Sequence, residues 1–321
     1  MNVLYILGNG FDMAQGMKTS YPDFYKYLME TECSPLLEQM KKEITADRNL
    51  WSDMEEAFGQ YTTKVNSVSD LENLYFELSD HLQNYLKTED AKFNPSEKLK
   101  DKFVLDFISP SRNLGEIDKV RYNDLVNRLG NTYDISVMTL NYTDTLEKLL
   151  TLSANNERRI NQNVYIRQVI HVHGQLGDSI IIGVDNEGQI ANEKFRTDEN
   201  AKDFLVKVQS NYTMKFTRHT TCENLISNAH LVIMYGVSIG ETDARWWKLI
   251  GEQFKNRNTF SIIQYLYTPN EITPTRKQLM GRVEREHRNK IMRKMGFKDN
   301  EWPEDTNDRL FFVVNSNAFK L

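Results

Sequence analysis

Residues 2–12 read NVLYILGNGFD. Residues 3–7 form a continuous apolar run that stops at Gly8 and Gly10. A run this short, apolar throughout and bounded by glycine, predicts a strand buried on both faces. Further short apolar runs at 135–140, 164–172, 179–184, 231–235, 260–267 and 310–314 predict more strands. The run 179–184 lies close enough to 164–172 to pair with it. Helical patterns fall between them, at 145–150, in a stretch ending at Asn228, at 243–255 and at 276–294. Strand–helix alternation with apolar strands predicts an α/β fold, a Rossmann-like doubly wound, mainly parallel sheet.

One long region departs from the alternation. Between Tyr21 and Asn131 apolar residues recur at helical spacing, as in Leu71, Leu74, Tyr75, Leu78, Leu82 and Tyr85. Residues 104–108 read equally as helix or strand. The expected organisation is a nucleotide-binding core from 1–20 and 132–321, with 21–131 as a helical insertion or cap.

Composition narrows the functions. The 321 residues carry 40 basic and 45 acidic side chains, a net charge of -5, which gives no global attraction to nucleic acid or anionic membrane. With 15 glycines and 7 prolines the chain is poor in breakers, which favours helices over a loop-rich β protein. The 2 cysteines, Cys33 and Cys222, exclude a disulfide framework and a four-cysteine zinc site. The N-terminal run is too short and lacks the flanks of a signal peptide, and no stretch reaches the ~20 apolar residues of a membrane helix. A cytoplasmic protein is expected.

In open α/β sheets ligands bind beyond the carboxyl ends of the strands. Gly8-Asn9-Gly10-Phe11-Asp12 follows the first strand. Asn141-Tyr142-Thr143-Asp144 follows the second, His173-Gly174 follows 164–172, and Gly236-Val237-Ser238 with Asp243 follows 231–235. Gly8 and Gly10 start a phosphate-binding turn, but Met13 stands where a third fingerprint glycine would fall. Asp12 suits ribose hydroxyls or a helix cap better than a phosphate. Asn141 can donate and accept, and His173 is the catalytic candidate because histidine titrates near neutrality. His171 lies two residues before His173, but no third ligand is evident, so no metal is expected.

Three further groups read as structural. Trp51, Asp53, Glu55 and Glu56 suggest a tryptophan packing a helix to the core with solvated carboxylates. Trp246-Trp247 suggests helix packing. Eight basic residues within 276–294, opposed by Glu284 and Glu286, suggest a solvated helix face.

The opening Leu4–Asp12 stretch, followed by Gly16-Met17-Lys18-Thr19-Ser20-Tyr21 and Phe24, resembles the AbiH family of phage abortive-infection proteins, as does Trp51-x-Asp53-x-Glu55. The resemblance runs from Leu4 to about Tyr267. Four blocks are more distantly similar to sirtuin-like NAD-consuming domains of bacterial defence systems. These are Gly8-Asn9-Gly10, Thr139-x-Asn141-Tyr142-x-x-x-Leu146-Glu147, His173-Gly174, and Gly236-x-Ser238 with Asp243. This second resemblance implies Asn141 and His173 as a catalytic pair. It implies a nucleotide pocket formed by Gly8, Asn9, Gly10, Asp12, Gly174, Gly236, Ser238 and Asp243, with NAD as substrate or ligand. Thr143 stands where that class often has aspartate, and the class's cysteine-rich zinc module is absent from the sequence, so peptide deacetylation is not implied.

The expected function is an anti-phage effector that hydrolyses NAD at the nicotinamide–ribose bond. Cleavage creates an oxocarbenium-like centre, with Asn141 placing water or a ribose hydroxyl and His173 as base. The alternative is a catalytically silent nucleotide-binding sensor or scaffold. Homo-oligomerisation or a defence partner protein stays open, no membrane partner is expected, and a nucleic-acid-directed role through 276–294 is the weakest reading.

Overall fold

The computed structural model describes residues 1–152, 158–273, 275–299 and 301–320. Seven strands form one sheet: β1 (Asn2–Leu7), β2 (Tyr133–Thr139), β3 (Arg158–Arg159), β4 (Val164–His171), β5 (Leu231–Tyr235), β6 (Ser261–Leu266) and β7 (Leu310–Val314). Their order is β3-β4-β2-β1-β5-β6-β7, and all neighbours are parallel except β3 with β4. The protein is thus α/β with a mostly parallel sheet.

Between β1 and β2 run α1 (Gly10–Ala14), α2 (Tyr21–Met29), α3 (Pro35–Ala46), α4 (Met54–Tyr61), α5 (Val68–Lys92), α6 (Glu97–Phe107) and α7 (Glu116–Leu129). Residues 104–108 thus fall in and just after a helix. Next come α8 (Thr145–Leu150), α9 (Glu193–Thr197), α10 (Glu199–Leu205), α11 (Lys207–Thr213) and α12 (Arg218–Asn228). The chain continues through α13 (Ala244–Asn256), α14 (Met280–Lys294) and α15 (Thr306–Arg309). Serines at 20, 34, 67 and 96 cap α2, α3, α5 and α6, each accepting from a backbone N–H three residues on.

The pleat sorts β1 onto two cores. Val3, Tyr5 and Leu7 join Phe103 and Phe107 of α6 and Tyr122 of α7. Leu4 and Ile6 join Ile226 of α12, Trp246, Trp247 and Phe254 of α13, and Met292 of α14. A third core lies among α2 to α5, where Leu28, Met40, Trp51, Phe58 and Leu78 surround one another. The helices between β1 and β2 therefore divide, the early ones forming their own core and α6 and α7 covering the sheet.

The expected strand at 179–184 is corrected. It is not paired with β4, whose antiparallel neighbour is β3. Ile180, Ile182 and Val184 pack into the third core. The backbone of this segment bonds outside the sheet, with Gly183 N donating to Glu55 Oε1 at 3.2 Å and Val184 N to Leu205 O at 2.8 Å. Apolarity marked the segment as buried, and burial against helices gives the same pattern as burial in a sheet. Among the described residues no helix is long and apolar enough to cross a membrane.

Candidate functional site

The register brings four strand ends level. Leu7 lies opposite Thr139 and Tyr235, and Thr139 lies opposite His171. The segments leaving β4, β2, β1 and β5 therefore emerge along one edge in that order. A cleft of about 460 Å³ there is lined by Gly8, Asn9, Gly10, Asp12, Asn141, His173, Gly236, Ser238 and Asp243, with Asp53, Glu55 and Tyr21 from the helical segment. Gly174 is not among the lining residues. It has φ +90°, and a Cβ there would lie 1.9 Å from Ser179 O, so it serves the turn after His173.

The two glycine turns touch. Gly10 N donates to Gly236 O at 2.9 Å, and a Cβ on Gly10 would lie 2.6 Å from Gly236 Cα. Gly236, at φ +68°, would put a Cβ 2.4 Å from Phe11 N. Beyond this crossing lies a second cavity, of about 580 Å³, at the ends of β5, β6 and β7. It shares Gly10, Gly236, Val237 and Ser238 with the cleft and is lined further by Gln264, Tyr265, Tyr267 and Lys290. Gln264 is buried, and its Oε1 has no partner among the described residues. Both volumes fall in the range of small-molecule sites.

Asn141 is 7% exposed, and its Nδ2 donates to Gly8 O at 3.2 Å, tying the end of β2 to the first glycine turn. Its carbonyl accepts from His171 Nδ1 at 2.8 Å, while His171 Nε2 donates to Glu147 Oε1 at 2.8 Å. Only an imidazolium donates from both nitrogens. Burial opposes that charge, but the Glu147 carboxylate outweighs it and holds the His171 pKa above its ordinary value. His171 is thus a support for Asn141.

Asp12 is 2% exposed. Thr143 Oγ1 donates to its Oδ2 at 2.6 Å, and its Oδ1 has no partner among the described residues. Burial pushes its pKa up to about 6. Asn9 is occupied locally, its Nδ2 donating to Thr19 O at 3.0 Å. Ser238 stands exposed at the cleft.

His173 is 3% exposed; its Nε2 donates to Asp243 Oδ1 at 2.9 Å, and its Nδ1 has no partner among the described residues. Burial, then the Lys207 ammonium, lowers its pKa. Burial works against a charged Asp243, yet Lys207 and His173 hold its carboxyl well below the usual range. Lys207 is fully sequestered at 2% exposure, and its Nζ reaches Glu55 Oε2 at 2.8 Å.

The expectation of solvated carboxylates near Trp51 is corrected for Glu55, which is 7% exposed and paired with Lys207. Asp53 caps α4, accepting from Glu55 N and Glu56 N at 3.2 Å each. Sequence reasoning missed Lys207; its one local signal is that it stands as a lone cation between apolar neighbours, Phe204, Leu205 and Val206 before it and Val208 after it. The basic helix α14 is partly neutralised by Arg282–Glu286, Arg293–Asp299 and Lys294–Glu241 pairs. Cys33, between α2 and α3, and Glu77 and His81 of α5 bring metal-ligand atom types within 4.8 Å of one another, and none of the three lines the cleft.

The bacteriophage abortive infection AbiH family profile matches residues 4–265. The chain belongs to the AbiH family. No curated protein matches it. Membership places the chain among phage abortive-infection proteins, and the matched span contains β1, β2, β4 and β5 with every cleft residue named above. In this AbiH chain the end of β2 and the first glycine turn are joined twice, by Thr143 to Asp12 and by Asn141 to Gly8.

Proposed function

We propose that this AbiH-family chain is an abortive-infection effector that hydrolyses NAD at the nicotinamide–ribose bond. In this reading its sheet is the core of a Rossmann-like doubly wound domain, and residues 21–131 supply the cap. One observation carries the reading: two cavities meet at the Gly10–Gly236 crossing, one reaching His173 and Asn141, the other reaching Gln264 and tyrosine rings. A dinucleotide has that form, two ring-bearing halves joined by a diphosphate that can lie against bare backbone. The crossing falls between β1 and β5, where the strand order reverses direction.

Charge supports the same orientation. Four acidic residues, Asp12, Asp53, Glu55 and Asp243, are among those lining the cleft, against the buried ammonium of Lys207. Such a lining suits a cationic nicotinamide ring and the oxocarbenium-like centre left by its departure. In the reaction the glycosidic C–N bond breaks, nicotinamide leaves with the bonding pair, and water adds to the ribose carbon. The proton released goes to His173, while Asn141 orients the water or a ribose hydroxyl.

The test is purified protein with NAD, followed by chromatography for nicotinamide and ADP-ribose, beside NAD levels in cells under phage challenge. Asn141→Ala and His173→Ala should each lower turnover by ~100–10,000-fold while the fold survives. Protection that persists in His173→Ala, with NAD unchanged in all strains, would instead support a silent nucleotide sensor. That second reading draws on the covered state of His173, 3% exposed, and on an Asn141 amide already spent on Gly8.

A further inference from the structure

Four ionisable side chains from four stretches of chain meet behind the strand-end histidine. Glu55 comes from α4, Lys207 opens α11, Asp243 closes the short turn Glu241–Asp243, and His173 follows β4. Lys207 Nζ donates to Glu55 Oε2 at 2.8 Å, to Thr242 O at 3.0 Å and to Asp243 Oδ1 at 3.2 Å. An ammonium has three protons, so its donor capacity is filled. The Asp243 oxygen it touches is the same one that accepts from His173 Nε2 at 2.9 Å. A buried ammonium needs compensation to keep its charge, but one carboxylate would suffice to anchor a fold. Here the second carboxylate is the histidine's own partner.

We propose that Lys207 is a positioning residue for His173: it fixes Asp243 as a charged acceptor, so that the ring carries its proton on Nε2 and keeps Nδ1 as its basic nitrogen. This rests on the reading of His173 as the base. An ionised Asp243 can only accept, so Nε2 must carry hydrogen, and in a neutral ring the other nitrogen then holds the lone pair. That nitrogen, Nδ1, has no partner among the described residues. The ammonium also opposes a second proton on the ring, so the base is not spent at neutral pH. The other groups acting on the ring are few. Arg218 of α12 works in the same direction as Lys207, Asp243 works against both, and His219 of α12 is kept neutral by burial. Glu55 sits on the far side of Lys207 and tunes how much of its charge the ring feels. A contact from the helices between β1 and β2 thereby reaches the base.

The experiment follows the His173 imidazole by NMR titration in the ring-labelled full chain, without NAD, assigned against the other five histidines by a His173→Asn variant. The double variant Glu55→Gln/Lys207→Met removes the ammonium without stranding Glu55, and leaves Asp243 with the His173 ring as its partner. The His173 midpoint should then move upward by about one pH unit. The acid limb of the NAD hydrolysis pH profile should move with it, costing about tenfold in rate on that limb. Glu55→Gln alone should move the midpoint the other way, because the ammonium then acts on the ring with less compensation. This near-isosteric variant keeps the test alive should the double variant fail to fold. A midpoint that stays put in Glu55→Gln and in any folded double variant overturns the proposal, as does an upward move in Glu55→Gln. Opposite shifts with no nicotinamide released by wild type would uphold Lys207 and reject the NAD reading.

Discussion

Asp12 shows how a single residue trades stability against chemistry. Its carboxyl is buried, one oxygen lacks a partner among the described residues, and burial raises its pKa from 3.8 to about 6. The native state therefore favours the protonated form. The stability this contributes is complete below about pH 3.8 and is lost as pH rises through about 6. At pH 7.5 the ionised carboxyl is a liability, and Asp12→Asn should stabilise the fold by up to about 3 kcal/mol, falling to about 1 kcal/mol at pH 4.5. Thermal melts across that range check it; an equal gain at both pH values would mean the burial cost is not electrostatic. A similarly sized amide that stabilises yet loses nicotinamide release would mark Asp12 as kept for function. His171 carries the opposite lesson about legibility. Its spacing from His173 raised only the question of a metal pair, while the ring is engaged by Asn141 O and Glu147. His171 closes β4, and its acceptors come from other elements, Asn141 just after β2 and Glu147 of α8, which the spacing along β4 cannot show.

Among elements, the glycine turns after β1 and β5 act as one unit. Taken singly, Gly8-Asn9-Gly10 was an incomplete phosphate-binding turn and Gly236 a glycine at a strand end. In the fold they are first a packing requirement, because the two backbones cross at Gly10 and Gly236 with no room for a side chain. Gly236→Ala combines a positive φ with a Cβ 2.4 Å from Phe11 N. It should cost more than about 2 kcal/mol in urea unfolding, by strain and displaced backbone. Gly281→Ala, near the start of α14 with only the end of Arg285 nearby, is the control and should stabilise by up to ~1 kcal/mol. Equal effects at the two sites would deny the crossing its role. Residues 179–184 fail as a strand for a related reason. Their apolar run was genuine, but their partners are helices and a glutamate from α4, which no local pattern announces.

At the scale of the whole molecule, the helices between β1 and β2 do not form one separable body. Phe107 of α6 stacks on Tyr5 of β1 with ring centroids 4.2 Å apart, and Tyr5 Oη donates to Phe107 O at 2.6 Å. Phe107→Ala should therefore cost ~3–5 kcal/mol and lower the sheet's stability too. Urea unfolding followed by far-UV circular dichroism and by tryptophan fluorescence, which reports Trp51 in one core and Trp246 and Trp247 in another, should remain coincident. Separated transitions would show that the early helices unfold independently. The sequence by itself determined the α/β class, the strands β1, β2, β4, β5, β6 and β7, and the family, since each rests on local runs and contiguous motifs. It also named the strand-end residues of the cleft other than those of the helical segment, because parallel strands end at one edge and the loops leaving them must converge there. Tertiary structure alone decided that Gly174 serves a turn, that Glu55 is buried, and that Lys207 stands behind His173 and Asp243. Those facts depend on pairing between segments up to 152 positions apart, as in Glu55 and Lys207, where the cost of burying a charge is met by a partner that neighbouring sequence cannot reveal.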